Sequence, residues 1–387
     1  MKQITLFIVF FLVQNNAAYK AVVIVPVADL FAHPPNTTVD DIPVHTAQQS
    51  PTPCPRLHQL LFHEQITVTD EKGRYVCVHI PHLFYTITQS STPQNTYWTL
   101  AKNIFPLSPH VHQQCTPYLP DTPSFTQKSI TPKQSTITLT LPFYYTAREI
   151  LFSVGTRFVI AEQTTSQYSV YVFNAQKKCI EKMTIPYSHA MLISPAQTAQ
   201  EQRKKFVTLL KQWAHPPDGF IPYVWGGCSF TECYTGSFTK TDHAQSCHYT
   251  YNSQTQQIKG GFDCSGLIAR AAQACNIAYF YKNTTTMTHN LKQKTAHDSI
   301  EEGDIIWIPG HVMVVADIKN HTLIESRSYG HGYGKVHEIA LNNVFENIHT
   351  FNDLKTAYHH KKPLQHLDCF KKRRELFTQF KIFSLLD

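Results

Sequence analysis

The hydrophobic period of this chain switches near residue 196, and that switch limits the fold more than any other feature. Before it, over 135–192, β-branched and aromatic residues alternate with polar ones in "STITLTLPFY", "ILFSVGTRFVIAEQ", "SQYSVYVFNA" and "CIEKMTIPY". Alternation of that kind puts one face of a strand in a core and the other in solvent. The stretch from Leu60 to Leu107 has the same texture. There "LLFHEQITVTDEKGRYVCVHI" reads as two strands joined by a charged turn at Asp70–Gly73, a hairpin pattern that "YWTLAKNIFPL" closes. After the switch, "PAQTAQEQRKKFVTLLKQWA" carries Phe206, Leu209, Leu210 and Trp213 on the stripe of an amphipathic helix. A polar loop, then "GGFDCSGLIARAAQACNI", "GDIIWIPGHVMVVADI" and "TLIESRS" continue as helix and strands. Small β modules followed by helix, loop, helix and strands form an α+β order.

At 387 residues there is room for two or three domains, at roughly 150 residues each. The hydrophobic share of 42% and the scarcity of Gly exclude collagen-like and disordered classes. A net charge of +7 suits work near a polyanion such as a wall, a membrane or nucleic acid. No RNA-binding signature or zinc-finger spacing is present, so nucleic acid is not expected as a partner. Residues 1–18, "MKQITLFIVFFLVQNNAA", have one basic residue, an apolar run from Ile4 to Val13, and small residues at Ala17 and Ala18. That run is too short to cross a bilayer and fits a signal peptide, although a buried strand would show the same pattern. Export to the periplasm or beyond is expected, with no lipid anchor and no stable membrane insertion. Residues 19–56 read as an N-terminal extended segment, a short strand "KAVVIVPVA" and then a linker. The basic end, 366–387, reads as a terminal helix or a charged tail.

An exported chain usually ties up its cysteines, and this one has ten. Cys264 can be a nucleophile, half of a disulfide or a small buried apolar residue. If a helix starts there, Leu267, Ile268, Ala271, Ala272 and Cys275 share one buried stripe, with Cys275 as core. Asp263 before it and Ser265 in its first turn both suit a helix start. A thiol in that position meets unpaired amide N–H groups and the positive end of the helix dipole, which favour the attacking thiolate. Such a nucleophile needs a base, and the base needs an orienting partner. His311 heads the strand "HVMVVADI", and Glu325 lies in the next one. A hairpin register centred on Ile318 sets them directly opposite, with Cβ atoms about 5 Å apart. A slip of one residue would send Glu325 to the other face.

In this order, "YVWGG", "GFDCSGL", "GDIIWI" and "GHVMVV" resemble the NlpC/P60 family of cell-wall cysteine peptidases, over residues 196–350. The tandem modules before them resemble bacterial SH3-like (SH3b) domains. The resemblance implies a papain-like catalytic domain over 196–365, preceded by two small SH3-like β-barrels at 57–110 and 130–195. It implies Cys264 as nucleophile, His311 as base, and Glu325 in a position that is often His in relatives. The substrate implied is a peptidoglycan stem peptide or muropeptide, typically cut next to D-glutamate, with no metal or organic cofactor. Tyr223 and Ser265 match positions that line the substrate site, and Glu64 and Tyr97 of the first barrel match positions that close the cleft. Many relatives carry a "P-R-D-A-x-x-Q"-like stretch whose carboxylate binds a free substrate amine; here the matching run is "YKNTTTM", with Asn283 in its place. The insertion 228–259 holds Cys228, Cys233, His243, Cys247 and His248, at spacings that match no common zinc site. A Cys228–Cys233 or Cys233–Cys247 disulfide is expected there, free thiols being the alternative. Two other readings stand beside the peptidase: a wall-binding protein with an inactive catalytic domain, and a papain-like acyltransferase.

Overall fold

A computed structural model describes residues 18–35, 56–81, 83–86, 92–121, 134–233, 237–238, 249–250, 260–277, 283–288, 291–328 and 331–386. The fold mixes helix and sheet and is mostly strand.

The first sheet has seven antiparallel strands. In spatial order these are Arg56–Leu61, Val27–Phe31, Thr96–Leu100, Tyr75–His79, Gln65–Lys72, Tyr19–Val23 and Ile104–Pro106. Residues 19–31, expected to be a strand and the start of a linker, supply two of these seven. Ala21, Val23, Ala28 and Leu30 are all buried, so both strands carry an apolar face that must be covered. The second sheet runs Cys179–Pro186, Gln167–Asn174, Arg157–Gln163, Thr136–Leu139 and Ala190–Ile193. Its inward residues Ile137, Leu139, Phe158, Val170 and Val172 pack with Phe62 and Phe152. Among the described residues neither sheet closes into a barrel.

The remainder is built on a helix, Ala199–Ala214, and a six-stranded sheet. The helix begins with a capping box between Thr198 and Glu201, and it buries Phe206, Leu209, Leu210 and Trp213 as its stripe requires. Trp213 stacks on Phe262 with ring centroids 5.1 Å apart and donates to the Thr140 carbonyl of the second sheet. The six strands are, in order, Lys292–Gln293, Lys381–Ser384, Ile305–Ile308, His311–Asp317, Thr322–Arg327 and Lys335–Ala340. Val312, Val314 and Ile324 pack on one side, with the helix Cys264–Ala274. Met313, Val315 and Leu323 pack on the other, with Phe351 and Leu354 of the helix Phe351–His359. The basic end is therefore neither a helix nor a loose tail. Lys381–Ser384 lies inside the sheet, because Ile382 and Phe383 fill opposite cores. The strand Arg373–Phe377 before it pairs with Leu364–Leu367. One continuous apolar core runs from Leu60, Val78 and Tyr97 of the first sheet through Leu267 and Ile268 to Val314. Among the described residues no helix is long and apolar enough to cross a membrane.

Candidate active site

The helix that carries the cysteine begins at Cys264. Asp263 caps it, with Oδ1 accepting from the Gly266 N–H at 2.5 Å and from the Ser265 hydroxyl at 3.0 Å. Its other oxygen accepts from the Gly226 N–H at 3.0 Å, so one carboxylate joins the "YVWGG" loop to the helix start. That close approach needs glycine: Gly226 has φ +69°, and a Cβ there would sit 2.4 Å from the Arg56 carbonyl oxygen. At Gly261 a Cβ would meet the Pro222 oxygen at 2.2 Å. Ser326 donates to the Phe262 carbonyl at 2.6 Å, tying the approach to Cys264 to the residue after Glu325. Cys264 keeps 9% of its surface exposed. Tyr223 is buried beside it; burial, then the Cys264 and Asp263 groups, pushes its phenol well above the usual value. Ser265 is buried and spends its hydroxyl on Asp263, as a capping partner.

His311 is the first residue of its strand, and Glu325 lies on the neighbouring one. The observed register pairs Val314 with Ile324 and Val315 with Leu323, with an irregularity before Asp317. This is two residues from the Ile318-centred register, so Glu325 lies diagonally from His311 and stays on the same face. His311 Nε2 and Glu325 Oε2 are 2.6 Å apart, while His337 Nε2 approaches Oε1 at 2.9 Å and Arg327 lies at 3.4 Å. An ionised carboxylate only accepts, so both imidazoles donate Nε2–H to it. Burial would raise the Glu325 carboxyl, but the Arg327 charge and the two imidazole bonds prevail and hold it well below the usual range. Burial lowers His311, and the pull of Glu325 restores only part of this. Arg327 follows Glu325 by two residues on the same face, a signal legible in "ESR". His337 pairs directly with Glu325 across the next strand, which no local pattern reveals.

Three of the expected substrate residues are committed elsewhere. Glu64 is tied to the helix Cys264–Ala274: its Oε1 accepts from Arg270 at 2.6 Å and from Gln273 at 2.9 Å. Arg270 is itself fully buried and also donates to the Gln59 and Cys228 carbonyls. Tyr97 has no exposed surface to offer a substrate; its hydroxyl donates to the Leu83 carbonyl and its ring packs on Tyr85. Asn283 adopts φ +72°, accepts from Thr286 through Oδ1, and donates to the Thr86 carbonyl at 3.1 Å. It closes a turn and ties that turn to the connection between the strands Tyr75–His79 and Thr96–Leu100 of the first sheet. Cys275 is core, as expected, and burial raises its thiol far above the ordinary value. Cys228 is not bridged to Cys233; its thiol donates to the Gly266 carbonyl at 3.2 Å, and no described cysteines form a disulfide. Cys247, His243, His248 and the first seventeen residues lie outside the described residues.

The architecture defines a class: an α+β chain with a cysteine at a buried helix start and a carboxylate-held histidine at the head of a strand in the sheet beneath. No family model and no curated protein matches the chain. Among solved structures it is similar in fold to an NlpC/P60 family protein from Bacillus cereus. The TM-score is 0.53 at 16% identity, over 84% of this chain and 94% of that one. NlpC2 and NlpC1 from Trichomonas vaginalis align over 84% and 96% of this chain and 95% and 99% of their own, at 11% and 10% identity, each with a TM-score of 0.29. The fold is thus NlpC/P60-like, resting on the Bacillus cereus structure.

Proposed function

We propose that this protein is an exported, papain-like cysteine peptidase that hydrolyses peptidoglycan stem peptides, next to D-glutamate, with Cys264 as nucleophile and His311 as base. The observation that carries the reading is the 2.6 Å contact between His311 Nε2 and Glu325. With Nε2–H committed to the carboxylate, the lone pair on Nδ1 is left to take the proton of a thiol. Cys264 Sγ would then attack the peptide carbonyl, and the imidazolium would return the proton to the departing amine. Water, deprotonated by the same ring, would release the acyl group from sulfur. Glu325 holds the ring orientation and stabilises its charged form. Tyr223, beside the thiol, lines the substrate site in this reading.

The two N-terminal sheets take the place of the SH3b modules and would hold the chain on the wall, its basic charge assisting. Asn283 is neutral and engaged with Thr86, so a free substrate amine is not expected to be the group recognised there. The test is mass spectrometry of products from defined stem peptides, with and without a free L-Ala amine. New amino termini should appear with wild type and vanish with Cys264→Ala, at an unchanged melting temperature. Retained binding to sacculi without cleavage by wild type would favour the wall-binding reading. Transfer to hydroxylamine in preference to water would favour the acyltransferase.

A further inference from the structure

Behind the His311–Glu325 pair lies a second cluster that the peptide chemistry does not use. His331 follows the strand Thr322–Arg327, His366 lies on Leu364–Leu367 and Glu375 on Arg373–Phe377. One ligand atom from each falls within 4.8 Å of the others. We propose that His331, His366 and Glu375 form a binding site for a divalent cation of the zinc class.

The spacing carries the argument. Glu375 Oε2 lies 3.4 Å from His366 Nδ1 and 3.6 Å from His331 Nε2. A good N–H···O hydrogen bond is shorter, about 2.7 to 3.2 Å. Ligands about 2.1 Å from one ion in tetrahedral geometry stand about 3.4 Å apart. The carboxylate oxygen is therefore placed for a shared ion better than for either hydrogen bond.

The protonation pattern agrees. Arg327 has only donors, and its N–H lies 2.8 Å from His366 Nδ1, so Nδ1 carries a lone pair. With that lone pair engaged by Arg327, Nδ1 offers no proton to the Glu375 oxygen 3.4 Å away. A cation that displaced the Arg327 N–H from Nδ1 would bridge that nitrogen and Oε2, with His331 as third ligand and water in the fourth position.

The ion would need the lone pair that Arg327 occupies. The guanidinium has somewhere to go: Glu325 already lies 3.4 Å from it. Cation binding would thus press Arg327 onto the carboxylate that holds His311 and His337. This link to the catalytic pair rests on the proposed function, whereas the binding itself does not.

The test uses the full chain with Cys264→Ala, which removes a competing thiolate. Cobalt(II) is titrated and followed by visible absorption, and zinc(II) by calorimetry, with a melting curve as a separate readout. One equivalent should bind saturably and raise the melting temperature. His331→Ala and Glu375→Gln, both at partly exposed positions, should each weaken binding at least ~10-fold. Absence of saturable binding, or affinity unchanged in both variants, would overturn the site. Neither result bears on peptide cleavage, so this proposal can fail while the peptidase reading stands.

Discussion

Two glutamates in this molecule are held in nearly the same way, yet the consequences differ. Glu325 and Glu64 are both shielded carboxylates with an arginine and further donors around them. Around Glu325 the closest donors are two imidazoles, His311 and His337, and His311 keeps 15% of its side chain exposed. Around Glu64 they are Arg270 and Gln273, neither of which can give up a proton near neutral pH. Glu325 can therefore act on a group that exchanges protons, whereas Glu64 only fixes the Cys264–Ala274 helix against the first sheet. The partner, and not the carboxylate, decides between chemistry and scaffold.

Substitution should separate the two. Glu325→Gln should cut kcat/KM by ~10²–10⁴-fold through loss of imidazole orientation and charge stabilisation. Glu64→Gln should leave kcat/KM within about threefold. Equal losses in both would break the comparison. Arg270→Met should cost about 3–5 kcal/mol of stability in urea unfolding, because Glu64 loses its counter-charge in a buried setting. Adding Glu64→Gln should recover part of that loss, while Glu325→Gln should recover none.

How far the sequence discloses this depends on the range of the interaction. The Asp263 cap, the stripe from Leu267 to Cys275 and the Phe206–Trp213 face are local, and each appears where its spacing predicts. The His311–Glu325 face survives because the register differs by two residues and not by one. Glu64, in the turn before Gln65–Lys72, and Tyr97, on Thr96–Leu100, have distant partners that no local pattern names. Arg270 lies off the Leu267–Cys275 stripe, on another buried side of the same helix, and its partner is 206 residues away. Lys381–Ser384 hid behind "KKRR", whose charge masks the doubly buried pair Ile382 and Phe383.

A smaller effect sharpens the contrast between titrating and inert partners. His63 is buried between the first two sheets and accepts the Phe173 N–H at 2.8 Å. Burial, then the Arg148 charge, lowers its ring to about 3. The unfolded chain takes up this proton below ~6.5 while the folded chain does not. Stability should then fall by about 1 kcal/mol per pH unit as pH drops from ~6.5 toward the folded value. His63→Asn, which tolerates the positive φ, should flatten that slope between pH 6 and 4 in melting curves. Glu325 acts in a lower window: its depressed carboxyl stabilises the fold above ~4.3 and that stability is lost only as pH falls further, through its folded value.

The thiol–imidazole partnership is most directly tested by the alkylation rate of Cys264 as a function of pH, followed on the peptide that contains it by mass spectrometry. At pH 6 iodoacetamide should modify the wild-type residue at least ~10-fold faster than in His311→Ala, with the two rates converging near pH 9. Superimposable rate profiles in the two proteins would mean that the ring does not act on the sulfur, and the peptidase reading would fall with it.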